Sequence, residues 1–470
     1  MHFQSELSVE RWLIYVAFGI PVIAWLFFTR SRLLRLTAVL GVLVFVQQSF
    51  VSRRYVWAFG LGPALIFSYV AFVACYLRGQ RIPRMGWLPM LWAAFLFCAF
   101  TGLVVGSLGS GLLLWNVIAF QDFYVESALM FFVGAIALSG MDDFRRVPTF
   151  LVWLGLGISV THLACVATGY RFPDYPLSMA RDAYWFEYGG VFTNVNTLAN
   201  ALLLLMPLSV SLAADPSERI SFRLLAGIAT VAMGVSLILT SARGPYGIAV
   251  MLCAAALFAR RSSLLTSLLG AITLTLVLGL VYFATVDFFS SAFGDVLEDL
   301  RLTGMRTDRP LIWLGYLNLI VSHPIGVGLT EQNVAPYIGP YALRYGLAHN
   351  IYLDVAARTG IAGLLCFIAI LGAIVARVAR GLRLATDPRD QLLMRRMLLV
   401  IIAYPLGGFI EPIFHNSFKL TQLYFALCGV AVAAAVQVLV SHRIASLPRP
   451  AGPESERWLE PAGVPGLARE

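Results

Sequence analysis

The sequence predicts an all-α polytopic membrane protein of about 12 to 13 transmembrane helices, with one large periplasmic loop between late spans. Of its 470 residues, 59% are hydrophobic and only 13% are charged, against about 25% charged in soluble domains. The mean hydropathy is +0.80. Only lipid leaves so much apolar surface outside one compact core, so a soluble globular fold is excluded.

Thirteen apolar segments are long enough to cross a membrane, since one helical crossing needs about 20 apolar residues. They lie at 12–28, 33–50, 56–77, 86–106, 122–140, 148–168, 191–213, 223–240, 245–259, 263–284, 360–376, 397–414 and 420–440. The segment at 245–259 is marginal in length, which leaves the count at twelve or thirteen. The stretch 111–120 is too short to cross alone, and we expect an interfacial or re-entrant segment there.

The arginines orient these spans, because basic residues accumulate on the cytoplasmic side of a membrane. Alternate connecting loops hold most of them, in clusters around Arg30, Arg78, Arg145, Arg260 and Arg383. The predicted orientation places the segments 170–190 and 285–360 outside, and the second should be an ordered, turning loop with a surface helix at 310–321. The tail at 441–470 is predicted to be cytoplasmic and disordered.

The composition also excludes several kinds of function. Lys419 is the only lysine, so the Gly-Lys-Ser/Thr triplet of an ATP-binding Walker loop is absent. The net charge of +9 comes from arginines scattered between apolar runs, which argues against nucleic-acid binding. The sequence has no HExxH, no Asp-x-Asp pair for a metal-bound nucleotide sugar and no GxSxG. Its six cysteines are isolated and indicate small core residues.

Ionisable residues within the predicted spans are few. They are Asp122, Glu126, His162, Glu411 and His415, and most lie at the predicted outer ends of their helices. Transporters place charged groups near the bilayer midplane. The distribution therefore favours chemistry at the outer membrane surface.

Several arginines fall on the predicted outer face. A guanidinium group stays charged and binds phosphate oxygens in pairs, so these side chains could hold a diphosphate-bearing lipid or, alternatively, ordinary headgroups or a nearby carboxylate. They are Arg171, Arg181, Arg243, Arg306, Arg309, Arg344 and Arg358. Arg243 is the strongest candidate because it lies in a tight external loop, against the inside-positive bias.

His349 lies directly before the eleventh predicted span. Imidazole is the side chain best suited to take a proton near neutral pH and act as a general base. A lone histidine is more often structural, and the local pattern leaves both interpretations open. His323, in Ser-His-Pro, is predicted to form a turn.

Six short motifs occur in a fixed order between residues 185 and 380. They are GVFTNVNTLA at 190–199, TSARG at 240–244, RPLIW at 309–313, HPIGVG at 323–328, AHNIYL at 348–353 and GIAG at 360–363. In order and spacing, this set resembles the O-antigen ligase and polymerase family. The preceding 180 residues resemble this family only in containing a series of predicted transmembrane spans.

The resemblance implies an inverting, metal-independent glycosyltransferase of the bacterial inner membrane. It would take a glycan from undecaprenyl diphosphate on the periplasmic face, with His349 activating the acceptor hydroxyl and Arg243 holding the diphosphate. Arg309 and Asn350, which belong to the motifs, are expected to contact substrate. Members often carry an arginine just before the first motif, and here Arg181, or further away Arg171, would replace it.

The resemblance implies no cofactor, and it leaves the acceptor open between lipid A core, another lipid-linked glycan and a protein hydroxyl. The alternative function is a transporter or flippase of a lipid-linked or small solute. Four regions are expected: N-terminal transmembrane helices at 1–180, an O-antigen ligase-like region at 185–380 that includes the periplasmic loop 285–360, the last two spans at 381–440, and the tail at 441–470.

Overall fold

The computed structural model describes residues 31–45, 70, 73–74, 76–77, 83–108, 110–169, 190–192, 194–240, 242–258, 309–338, 348–411, 413–416 and 418–445. Within these ranges the regular structure is helical, and seven helices are long and apolar enough to cross a membrane. This confirms the predicted all-α polytopic fold. The predicted spans at 12–28 and 263–284, and nearly all of 56–77, lie outside the described residues.

The described helices are numbered in chain order. They are α1 (Arg32–Phe45), α2 (Leu88–Ser107), α3 (Leu113–Ala137), α4 (Met141–Thr168), α5 (Val195–Ala213), α6 (Ile220–Leu239), α7 (Arg243–Phe258), α8 (Arg309–Ser322), α9 (Glu331–Ile338), α10 (Ile351–Leu384), α11 (Pro388–Gly407), α12 (Ile413–Asn416) and α13 (Phe418–Ala445). The helix predicted at 310–321 is α8. Its position along a membrane surface stays a prediction.

The prediction of a separate short segment at 111–120 is wrong, because α3 runs through it as one helix of 25 residues. Part of α3, Phe120–Val125, is π-helical. Asn116 lowers the hydropathy of this stretch, yet it is buried and its Oδ1 accepts a hydrogen bond from the Leu329 N–H at 2.8 Å. A polar side chain with a partner inside the fold does not need solvent.

Asp122 and Glu126 therefore lie near the middle of α3, not at its outer end as the sequence predicted. Both are buried, and the Gln422 amide donates a hydrogen bond to the Glu126 carboxylate. Transporters also place charged groups near the bilayer midplane. The positions of Asp122 and Glu126 therefore do not speak against transport.

The parallel pair α3 and α13 forms the centre of the bundle. A Cβ added to Gly134 would overlap the backbone of Ala426, and one added to Gly429 would overlap that of Phe131. Small residues at such crossings let two helix backbones approach closely in a membrane. Aromatic rings fill the adjoining space, with Trp92 and Phe425 centred 4.8 Å apart.

One end of the bundle, the arginine-rich end, carries loops that the sequence predicts to be cytoplasmic. There Arg145 pairs with Asp387 at 2.5 Å, and Arg396 pairs with Asp215 at 2.7 Å. These ion pairs join α4 to the N-cap of α11, and α11 to the turn after α5.

At the opposite end, the segment from Ser322 to α9 packs onto α2 and α10. The Asn333 side chain donates to the Gly106 carbonyl at 2.8 Å, and the Val327 N–H donates to the Ala357 carbonyl at 3.0 Å. For residues 323–338 the loop is ordered and turning, as predicted.

A kink at Gly360 divides α10. Gly360 has φ 78° and ψ 175°, a backbone conformation that favours glycine. The break frees the Ile361 N–H, which donates instead to the Pro324 carbonyl at 2.9 Å. The predicted span at 360–376 thus begins at the kink, while α10 itself begins nine residues earlier, at Ile351.

Candidate functional site

The site lies where α10 begins, opposite the arginine-rich end. Asn350 is the N-cap of α10: its Oδ1 accepts from the Tyr352 N–H at 2.9 Å and from the Leu353 N–H at 3.1 Å. Its Nδ2 donates to the Phe409 carbonyl at 3.2 Å. An N-cap asparagine satisfies backbone amides that a helix start leaves without partners. Both the oxygen and the nitrogen of the Asn350 side chain are therefore hydrogen-bonded to the backbone. Its expected contact with substrate stays a prediction.

His349, next to this cap, has φ 46°, which makes it the only non-glycine residue with positive φ in the described part of the chain. A bulky side chain in the left-handed region is strained, and it persists only where its surroundings hold it. Trp313 Nε1 donates to the Ala348 carbonyl at 2.7 Å, and the Ile351 N–H donates to the Gly408 carbonyl at 2.7 Å. These bonds fix the backbone on both sides of His349.

The His349 side chain meets Glu411, which follows α11. Nδ1 lies 3.3 Å from one carboxylate oxygen of Glu411, and Arg309 Nη2 lies 3.2 Å from the other. Glu411 is 5% exposed, whereas His349 is 24% and Arg309 35% exposed. We call His349 and Glu411 the open pair, since one member faces out of the protein.

The chemistry of the open pair decides which ring nitrogen can act. A carboxylate only accepts, so Nδ1 carries the proton and donates to Glu411. Nε2 then keeps its lone pair, and within the described residues it has no hydrogen-bond partner. A carboxylate, an oriented imidazole and an available ring nitrogen form the arrangement of a general base.

A second histidine–carboxylate pair, the buried pair, lies beside the first. Its members are Asp354, in the first turn of α10, and His415, in α12, with 2.5 Å between His415 Nδ1 and Asp354 Oδ2. Their side chains are 0% and 2% exposed. The Tyr124 hydroxyl, from α3, lies 2.6 Å from His415 Nε2, so a neutral imidazole satisfies both contacts.

Burial controls the charge of His415. It lowers the pKa of His415 to about 4, because desolvation disfavours the imidazolium and the nearby Arg358 guanidinium offsets the opposing attraction of Asp354. Arg358 is itself buried, with Nε 2.9 Å from Asp354 and Nη1 2.5 Å from the Leu329 carbonyl. The sequence expected Arg358 among the phosphate-binding arginines, but the structure pairs it inside the protein.

Arg243 is the first residue of α7, and the structure brings that helix start to the site. A Cβ added to Gly244 would collide with the side chain of Ile410, the residue before Glu411. The backbone of the predicted diphosphate arginine thus lies close to the open pair. Its side chain is not described.

The remaining predicted arginines fall outside the described residues. They are Arg171, Arg181, Arg306 and Arg344. Their expected contacts with the diphosphate stay predictions.

Sequence reasoning missed the partners of His349. Glu411 was noted as an ionisable residue at a span end but received no role, and Trp313 was part of a motif without a function. Glu411 is 62 residues from His349 in the chain, so no local pattern links them. The one available signal was a glutamate just after Gly407 and Gly408, where a helix ends.

Comparison with known families bears on this site directly. Residues 228–368 match the family described as O-antigen ligase. This region resembles an O-antigen ligase domain. The match confirms the family that the motifs predicted, and it supports glycan transfer of the O-antigen ligase or polymerase type from a lipid-linked donor. No curated protein matches the chain.

The region that resembles an O-antigen ligase domain holds one half of each histidine–carboxylate pair. Arg243, Arg309, His349 and Asp354 lie within 228–368, whereas Glu411 and His415 follow it. The site is therefore assembled from the domain and from the chain beyond it.

Proposed function

We propose that this protein transfers a glycan from undecaprenyl diphosphate to an acceptor hydroxyl, with inversion at the anomeric carbon and without a metal ion. The observation that carries the proposal is the open pair: a histidine in a held, left-handed backbone conformation, oriented by a buried glutamate that also pairs with Arg309.

His349 Nε2 takes the proton of the acceptor hydroxyl as its oxygen attacks the anomeric carbon. The bond from that carbon to the diphosphate oxygen breaks, and undecaprenyl diphosphate leaves with the electron pair. Glu411 stabilises the imidazolium that forms. Because the donor already carries a good leaving group, positioning and charge neutralisation supply the catalysis.

Arg243, together with Arg181 or Arg171, neutralises the diphosphate in this scheme. Arg309 holds Glu411 and, being partly exposed, also faces the glycan. The acceptor is lipid A core, another lipid-linked glycan or a protein hydroxyl; these alternatives share one site and differ in what binds beside it.

The periplasmic side of the bacterial inner membrane suits this reaction. The site lies at the end of the bundle opposite the arginine-rich end, and arginine-rich loops stay in the cytoplasm. A cysteine introduced at Ser322 should react with a membrane-impermeant maleimide in intact cells, and one introduced at Arg389 should not. The reverse labelling would place the site in the cytoplasm.

The decisive experiment compares His349→Ala with His323→Ala, which removes a histidine from the same end of the bundle. The purified protein is supplied with undecaprenyl diphosphate-linked glycan, and with the deproteinised glycolipid fraction of bacterial membranes as the source of acceptor. Released undecaprenyl diphosphate is measured by mass spectrometry. His349→Ala should lose about 10²- to 10⁴-fold in rate, the range for a lost general base, and His323→Ala should not.

Melting temperatures of the same preparations separate chemistry from folding. We expect His349→Ala to melt within a few degrees of the wild type. A rate per folded molecule within threefold of the wild type would refute His349 as the base.

Arg243→Lys tests the diphosphate site. Lysine keeps the positive charge but loses the planar fork that binds two phosphate oxygens, so the rate should fall strongly while the melting temperature stays unchanged. Wild-type turnover in this variant would refute the diphosphate role of Arg243 and indicate that its side chain only contacts lipid headgroups.

The alternative function is transport of a lipid-linked or small solute, and the two buried carboxylates in the middle of α3 favour it more than the sequence suggested. An assay in detergent solution distinguishes the two functions. Transport needs two compartments, which micelles do not provide, whereas glycan transfer does not. A transferase forms product there, and EDTA leaves the rate unchanged if no metal takes part. A transporter forms no product.

A further inference from the structure

We propose that His415 and Asp354, the buried pair, are positioning residues that hold His349 and Glu411 at their working distance. The inference rests on the proposed function of the open pair and adds two residues to its machinery. Neither touches the solvent-facing side of the site, since both side chains are almost fully buried.

The two pairs connect the same two segments of the chain. His349 and Asp354 lie five residues apart at the start of α10, and Glu411 and His415 lie four residues apart after α11. In the open pair the α10 segment supplies the histidine, and in the buried pair the segment after α11 supplies it. A movement of one pair is therefore transmitted along both segments to the other.

The open pair cannot set its own geometry. Its hydrogen bond is 3.3 Å long and its histidine is partly exposed, and such long, exposed contacts contribute little to structure. The buried pair is 2.5 Å long and sealed, and low polarity strengthens its hydrogen bonds. The shorter, buried contact is thus the one that fixes the spacing of the segments.

Glu411 lies between two attachments of its segment to α10. On one side, the Gly408 carbonyl accepts from the Ile351 N–H and the Phe409 carbonyl accepts from Asn350 Nδ2. On the other side, the attachment is His415. Without His415, that side keeps the ring contact between Phe414 and Phe367 but loses its hydrogen bond to α10, and Glu411 can move away from His349.

The buried pair is itself anchored in the bundle by two further elements. Tyr124 joins it to α3, and Arg358 joins it to the Leu329 carbonyl in the loop before α9. The Tyr124 contact comes from the π-helical part of α3, a local geometry often found near functional sites. The rigid core of the protein thereby sets the position of the exposed base.

Two substitutions of His415 separate its two contacts. In His415→Asn the amide nitrogen falls near the position of Nδ1, so the bond to Asp354 is retained and the contact with Tyr124 is lost. In His415→Gln the amide reaches the position of Nε2, so Tyr124 keeps a partner and the Asp354 bond is lost. The proposal predicts that His415→Gln lowers kcat at least tenfold with donor KM within threefold, and that His415→Asn restores kcat to within threefold of the wild type.

A double-mutant cycle shows whether His415 acts through Glu411. Residues that act as one unit have non-additive effects, so His415→Gln should cost less than threefold when Glu411→Gln is already present. All rates are taken per folded molecule, with the donor, acceptor fraction and detection of released undecaprenyl diphosphate described above.

Three results would overturn the proposal: a wild-type kcat in folded His415→Gln, equal losses in the Asn and Gln variants, or additive effects with Glu411→Gln. If His415→Gln does not fold, Asp354→Glu replaces it, since this variant keeps the charge beside Arg358 and changes only the length of the contact. A tenfold lower kcat, non-additive with Glu411→Gln, supports the proposal, and a wild-type kcat refutes it. Failure of the proposed function is a separate outcome. It would be seen as a near wild-type rate in His349→Ala, which does not involve His415 or Asp354.

Discussion

The open pair and the buried pair have the same chemistry and different surroundings. Each joins the Nδ1 atom of a histidine to a carboxylate across the same two chain segments. His349 is 24% exposed and has a ring nitrogen free of hydrogen bonds to the described residues, whereas His415 is 2% exposed and both of its ring nitrogens are bonded. Access to solvent, and not residue type, separates the proposed base from the residue proposed to position it.

The difference in surroundings predicts different consequences for the two carboxylates. Removing charge from the buried pair should destabilise the protein, because a buried cation loses its counter-ion. Removing charge from the open pair should slow the reaction and cost less stability, because the cation beside Glu411, Arg309, is 35% exposed. Four experiments test this contrast.

The largest expected effect is on stability in Asp354→Asn. Arg358 is 3% exposed, and breaking a buried ion pair by neutralising one partner costs about 3 to 5 kcal/mol. Thermal unfolding in detergent measures this loss. Asp142→Asn, at a carboxylate that is 87% exposed beside Arg145, is the control and should change stability little. Equal melting temperatures in the two variants would contradict the contrast.

The next effect is a pH dependence of stability from His415. Its pKa of about 4 in the folded protein lies below the value of about 6.5 in an unfolded chain. As the pH falls from about 6.5 towards 4, the unfolded chain binds a proton that the folded protein excludes, so stability falls by about 3 kcal/mol and then levels off. The loss is absent above about pH 6.5.

His415→Asn isolates this contribution, because the other five histidines remain. The difference in unfolding free energy between wild type and variant should change between pH 6.5 and 4 and be constant above that window. A difference independent of pH throughout would show that folding does not shift the pKa of His415.

Glu411→Gln comes third and should act on rate. Glutamine keeps the shape but loses the charge that stabilises the His349 imidazolium, so kcat should fall roughly 10- to 100-fold, less than for loss of the base itself. The melting temperature should change less than in Asp354→Asn. A larger stability loss than in Asp354→Asn would reverse the roles assigned to the two pairs.

The smallest effect is expected for Trp313→Phe. It removes the donor to the Ala348 carbonyl, a hydrogen bond worth about 1 kcal/mol, and allows the strained His349 backbone to relax. The rate should fall several-fold. Trp153→Phe, at a tryptophan that is 54% exposed on α4, serves as the control and should match the wild type in the same assay.

Local patterns predicted the bundle well because a membrane helix is a local property. The starts of α5 and α11 follow Asn194 and Asp387, whose side chains cap them, but α11 begins nine residues before the predicted span at 397–414. The prediction failed at α3, since hydropathy counts Asn116 and Asp122 as unfavourable and cannot register that both are buried among partners. It also began the eleventh span at Gly360, where a kink interrupts a longer helix.

For the site, the ordered motifs predicted roles for His349 and Arg243 and indicated the family whose description residues 228–368 match. They could not identify Glu411, Asp354 or His415 as its partners. The members of the two pairs are 62 and 61 residues apart, and a single sequence carries no record of which distant side chains meet.

The sequence by itself therefore determined the membrane class and most helices of the described bundle, and it predicted the orientation and the residue most suited to act as a base. These follow from hydropathy, charge and residue chemistry, each of which acts over one helical span or less. Only the tertiary structure decided that Arg358 pairs inside the protein, that Glu411 orients His349, and that one of two equivalent histidine–carboxylate pairs is open and the other sealed. The physical reason is that burial, which sets both pairing and charge, depends on the whole fold and not on neighbouring residues.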